Sequence, residues 1–153
     1  MLNYIILGLI GAVVALMVYV RVAPTPAAQW HFPDVAMMTP GEYAAKGSHL
    51  VQRAVEGDGR AVLAQLDSII RDTPRTRVLA GTVAEGKITY VTRSRIMGFP
   101  DFTTATLMQN PAGETSLQIF SRLRFGRSDM GVNRARMTAW LAQLDAATGP
   151  ASE

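Results

Sequence analysis

The sequence predicts an α+β protein. An N-terminal transmembrane helix leads into a two-layer domain in which two helices cover one face of an antiparallel sheet, in the order β-α-β-β-β-β-α. Three observations predict it. An uncharged apolar run opens the chain, short β-rich stretches follow one another across turns marked by Gly, Pro and Asn, and two segments carry apolar residues at helical spacing.

The apolar run is "YIILGLIGAVVALMVYV", Tyr4 to Val20, and with Leu2 and Val22 it approaches the roughly 20 residues that a helix needs to cross a bilayer. A cleaved signal peptide is the competing reading. No Lys or Arg precedes the run, however, and prolines interrupt the small-residue positions of "VAPTPAAQ", so an uncleaved anchor is favoured. Tyr4, Tyr19 and Arg21 stand near its ends, where an amphipathic ring or a snorkelling guanidinium suits the lipid surface. Gly8 with Ala12, and Gly11 with Ala15, repeat small residues four apart, a spacing that lets another helix approach in lipid.

The division expected along the chain is an anchor over 1–22, a linker over 23–47, an α+β domain over 48–148 and a tail over 149–153. The linker is rich in Pro and Ala, breaks again at Pro33, Pro40 and Gly41, and reads as extended chain over the surface near the membrane. Trp30, Phe32 and Met37–Met38 are placed either in the headgroup layer or against the domain. "SHLVQRAVE" (48–56) alternates as a strand. In the helix that follows, Asp58 is the cap and Val62, Leu66, Ile69 and Ile70 share one face, with Pro74 as the stop. "RTRVLAGTVA" and "KITYVTRSRI" form a hairpin about Glu85–Gly86, and "DFTTATLMQ" turns through "NPAGE" into "TSLQIFSRLRF". Met137, Trp140, Leu141 and Leu144 line the last helix, which Gly149–Pro150 ends.

Cysteine is absent, which removes disulfides and thiolate chemistry. Between Arg71 and Arg136 stand eleven Lys and Arg against five Asp and Glu, so this half of the chain attracts anions. Strand alternation groups Leu117, Ile119, Ser121, Leu123 and Phe125 on one face and Gln118, Phe120, Arg122 and Arg124 on the other. In the hairpin it sets Ile88, Tyr90 and Ile96 against Val91, Arg93 and Arg95. If the helices cover the apolar face, Arg93, Arg95, Arg122 and Arg124 gather on the bare one, where planar guanidinium forks suit phosphate, carboxylate or a lipid headgroup. The alternative is a solvated face whose arginines pair with Asp101 and Glu114.

"GRSDMGVN" reads either as a strand-to-helix corner or as part of a ligand site. Ser128, Asp129 and Asn133 are turn and cap residues, and Asp129 is placed to grip a neighbouring arginine. With "YVTRSRIMGFPDF" and "LDSIIRDTPRTRVL", the stretch "FSRLRFGRSDMGVNRARM" resembles DUF1499, a family of unknown function found in bacteria and plastids and often membrane-associated. The matching positions are Arg124, Gly126, Ser128, Asp129, Gly131, Val132, Asn133 and Arg134, and Leu123 departs from the small polar residue expected there. The resemblance implies no established reaction. It implies a bacterial inner membrane with the domain outside the cytoplasm, against the weak charge bias of Arg21, which argues for a cytoplasmic domain.

Acid–base or nucleophilic chemistry has few candidates. His31 and His49 fit no metal-ligand pattern, Ser121 and Ser128 have no evident base, and no phosphate-cradling glycine motif is present. Nucleic-acid binding ranks low, since no reader motif accompanies the basic charge. The expectation is therefore a non-catalytic binding module without a cofactor or metal. Its candidate ligand residues are Arg93, Arg95, Arg122, Arg124, Ser128, Asp129, Asn133 and Arg134, and its partner is membrane lipid, an anionic small molecule or an acidic surface. The competing expectation is an accessory subunit of a membrane complex, held through the span.

Overall fold

The structure, a computed structural model, describes residues 1–31, 35–128 and 130–149. Helix α1 (Leu2–Val22) leads into a short helix α2 (Ala27–His31), then strands β1 (Gly41–Ala45) and β2 (Ser48–Val55) and helix α3 (Gly59–Arg71). Strands β3 (Thr76–Thr82), β4 (Lys87–Arg93), β5 (Pro100–Gln109) and β6 (Thr115–Leu123) follow, and helix α4 (Val132–Thr148) closes the domain. Every strand pairing is antiparallel, and the six strands lie in the order β1-β2-β6-β5-β4-β3.

The two long soluble helices form where the apolar spacing places them. Asp58 caps α3, its carboxylate accepting the Arg60 N–H at 2.9 Å, and satisfies one of the orphan donors of the first turn. Leu63, Leu66 and Ile70 of α3 and Met137, Trp140 and Leu144 of α4 meet Ile88, Tyr90, Ala105, Leu117 and Ile119 of the sheet in one core. Each large side chain buried there contributes roughly 1.5–3 kcal/mol. The polar tips inside it are paired: Trp140 donates to Thr73 Oγ1 at 2.7 Å and the Tyr90 hydroxyl donates to Asp67 at 2.8 Å. Burial, then the Asp67 hydrogen bond, push Tyr90 ionisation well above the ordinary phenol range.

The other face of the sheet is not bare. The chain that follows α1 crosses it. Trp30 stacks on Phe102 with ring centroids 3.8 Å apart, and His31 Nδ1 lies 2.9 Å from Thr89 Oγ1. Further along, the Ala36 carbonyl accepts from Gln118 at 3.3 Å, and Gln118 also donates to Gln52 at 2.9 Å. The expected linker therefore contributes a helix, a cover for the second face and an edge strand, β1. Phe32 and Pro33 lie outside the described residues. Helix α1 projects from the domain with most of its side chains exposed, whereas Val20 is fully buried and Ala23 nearly so.

Antiparallel pairing sorts the connections to two ends of the sheet, and charge follows that sorting. At the end where Leu123 pairs Asp101 and Arg93 pairs Pro100, the connections carry Lys46, Arg75, Arg95, Arg124 and Arg127, with Asp72 the acid among their described residues. At the opposite end they carry Glu56, Asp58, Glu85 and Glu114 and no basic residue. Helix α1 joins the domain at the basic end, where Arg21 donates to the carbonyls of Met97 at 2.8 Å and Ile96 at 3.0 Å.

Candidate functional site

Arg93, Arg122 and Arg124 do share the face that the two long helices leave, as alternation predicts. Their partners are neither Asp101 nor Glu114. Arg93 donates to the carbonyls of Val20 at 3.1 Å, Gly98 at 2.9 Å and Arg21 at 3.4 Å. Arg124 donates to Pro24 O at 2.7 Å and Thr25 Oγ1 at 2.9 Å, while Arg122 donates to the Trp30 carbonyl and lies over the Phe120 ring at 4.9 Å. All three therefore hold the segment that enters the domain. Arg93 and Arg21 act together at the end of α1, where backbone carbonyls lack helical donors and the helix dipole is negative. The alternative of a solvated face paired with those two acids is corrected accordingly: Asp101 meets Arg136 at 3.5 Å, and Glu114 accepts from Asn110 within its own hairpin.

The remaining expected residues divide. Arg95 and Ile96 lie beyond β4 instead of on it. Ser94 ends that strand by closing the 94–99 turn, its N–H donating to Phe99 O at 2.9 Å and its hydroxyl accepting from Phe99 N at 3.0 Å. Ser128 accepts the Met130 N–H at 3.2 Å within its own loop. Asn133 is buried in the first turn of α4, where its side-chain oxygen accepts from Arg136 at 3.1 Å. Arg134 is an exposed residue 3.8 Å from Glu42. None of these three sits with the arginines of the sheet face, and Asp129 lies outside the described residues.

What the fold gathers instead is a cleft of about 430 Å³ at the foot of α1, lined by Arg21, Arg75, Arg77, Arg93 and Arg95 together with Gly98. Among the described residues none of these five arginines is paired with a carboxylate. Burial first, then repulsion from Arg77, Arg21 and Arg124, lowers the Arg93 pKa below the usual guanidinium value. The guanidiniums of Arg77 and Arg95 make no hydrogen bond among the described residues, so their donors are available to a ligand. Gly98 has φ +76° and its α-carbon faces the Arg21 guanidinium so closely that a Cβ there would stand 3.0 Å from it.

Arg75, Arg77 and Arg21 are absent from the sequence-predicted set, and a bulge explains Arg77. Pairing from the Glu85–Gly86 turn runs evenly through Ala80↔Thr89, then shifts at Leu79 so that Val78 pairs Tyr90 and Arg77 pairs Val91. Without the extra residue, counting from the turn sets Arg77 opposite Thr92, on the helix-covered side. The bulge turns it into the cleft.

The family described as Protein of unknown function (DUF1499) matches residues 23–144. The chain belongs to the DUF1499 family. The match begins at Ala23, so the segment that covers the second sheet face falls within the DUF1499 domain together with the sheet itself. No functionally curated protein matches the chain. Among solved structures, a protein from Mesorhizobium loti is 13% identical, with 69% of this chain and 99% of that chain covered and a TM-score of 0.48. One from Mycobacterium smegmatis is 12% identical over 71% and 94% of the two chains, with a TM-score of 0.36. An uncharacterized protein from Rhizobium leguminosarum is 14% identical over 85% and 82%, with a TM-score of 0.33.

Proposed function

We propose that this DUF1499 protein is a single-span, non-catalytic module that binds an anionic ligand in the arginine cleft at the base of its membrane anchor. The observation that carries the reading is five guanidiniums around one cleft without a carboxylate partner among the described residues. Phosphate and carboxylate groups, on a small molecule, a lipid headgroup or an acidic protein surface, match that donor set because guanidiniums bind them through paired, charge-assisted hydrogen bonds. Retention of α1 as an uncleaved anchor agrees with the burial of Val20 and with its carbonyl accepting from Arg93. The setting in this reading is a bacterial inner membrane, with the domain on its outer side.

The test uses the full chain in mild detergent, titrated by calorimetry with dioctanoyl phosphatidylglycerol, with dioctanoyl phosphatidylcholine and with inorganic phosphate. The anionic lipid or the phosphate binds, the zwitterionic lipid does not, and the double substitution Arg77→Ala/Arg95→Ala weakens binding roughly tenfold or more. Neither side chain holds the fold together, so equal binding by the double variant overturns the reading. A second reading, an accessory subunit held through α1, is favoured by Gly8 with Ala12 and Gly11 with Ala15, small residues four apart that let a neighbouring helix approach in lipid. It expects a protein that co-purifies with the chain and is lost when α1 is exchanged for an unrelated span.

A further inference from the structure

We infer that the basic end of the sheet is a second membrane-contact surface, on which the domain lies against an anionic lipid leaflet with the tips of two loops inserted. Outside α1, the large hydrophobic side chains left exposed among the described residues are Ile96 (75%), Met130 (93%) and Val132 (49%). All three stand at one end of the sheet. Ile96 tips the β4–β5 loop, Met130 lies in the β6–α4 connection and Val132 opens α4 directly after it, and antiparallel register brings that connection to the same end. An apolar tip exposed to water is ordinary singly, but the three coincide with the point where α1 joins the domain.

The occupant follows from three further facts. Helix α1 has 21 residues, a rise of about 31 Å, close to the roughly 30 Å of a hydrocarbon core, so its end at Arg21 lies at the lipid surface. Tyr19 and Phe99 both pack on Phe125 there, with centroids 6.2 and 6.1 Å apart, the aromatic arrangement favoured at that level. Lys46, Arg95 and Arg127 lie in the connections at the same end of the sheet, a charge that anionic headgroups complement. The acidic connections lie at the far end, so the same charge pattern resists the inverted attitude. This surface rests on α1 lying in a bilayer but not on the cleft holding a ligand.

The chain's lack of cysteine makes the experiment direct. Single variants Ile96→Cys, Met130→Cys and, at the far end, Ala112→Cys are labelled with an environment-sensitive fluorophore, and each full chain is placed in nanodiscs containing phosphatidylglycerol and bromolipid. Labels at 96 and 130 shift to shorter wavelength and lose emission to bromolipid, the label at 112 does neither, and both effects shrink in phosphatidylcholine alone. Labels at 96 and 130 that behave like the one at 112 in anionic discs overturn the docking surface. Alkaline extraction of the unmodified chain from membranes distinguishes the two failures: a chain that is released overturns the anchor and the surface together, and a retained chain with water-exposed labels overturns the surface alone.

Discussion

Arg93 closes the last turn of α1 and one wall of the cleft with a single guanidinium, so its loss has two separable effects. Arg93→Ala leaves the Val20 and Gly98 carbonyls without their donor, at a cost of about 2 kcal/mol. Thermal unfolding in detergent registers it as a midpoint several degrees lower. Arg93→Lys recovers little of this, since one ammonium cannot span the three carbonyls that a planar fork reaches. Gly81 offers a sharper contrast. A Cβ there would stand 2.1 Å from the Lys87 carbonyl and 2.8 Å from His31, at φ +83°, whereas at Gly113, with φ +85°, nothing lies within 4 Å. Gly113→Ala therefore costs only the backbone term of about 1–2 kcal/mol, and Gly81→Ala costs clearly more because backbone must also move. Denaturant unfolding of the two variants checks the difference.

At the level of elements, the segment between α1 and β1 acts as a strap across the sheet. Trp30→Ala removes its stacked anchor on Phe102 and is expected to cost about 2–3 kcal/mol and to speed limited proteolysis within residues 24–40. Unchanged protection there would show that Arg122 and Arg124 hold the strap without the ring. This strap marks the boundary of what the sequence displays. Helices α3 and α4 were legible, because each carries core residues at helical spacing and α3 a true cap, whereas the short α2 was not, and four of the turns fall on the expected Gly, Pro or Asn residues. The arginine-bearing face was legible as well, since Arg122 and Arg93 alternate with core residues. Its cover was not, because Trp30 and His31 carry no periodic signal and their partners are some sixty or more positions away. Strand β1 escaped for a similar reason: "GEYAA" is short and flanked by breakers, and it is held by pairing with β2 alone.

Over the whole molecule, the chain that enters the domain is part of it. A fragment that starts at Val20 keeps the Trp30 stack, β1 and the capped carbonyl, and is expected to unfold cooperatively. One that starts at Gly47 loses all three, uncovers Phe102 and Phe120, and is expected to aggregate or bind a hydrophobic dye, as exposed apolar sheet does. Equal behaviour of the two fragments on size exclusion would refute this. The grip of Arg93 and Arg21 on the end of α1 has a mechanical meaning too. A floppy leash would let the domain roam over a wide shell of solution, whereas a clamped joint makes it a fixed post. Strand β5 has ten residues, about 33 Å of height. If α1 spans a bilayer as proposed, whatever meets the acidic crown does so about that distance from the end at which α1 joins the domain.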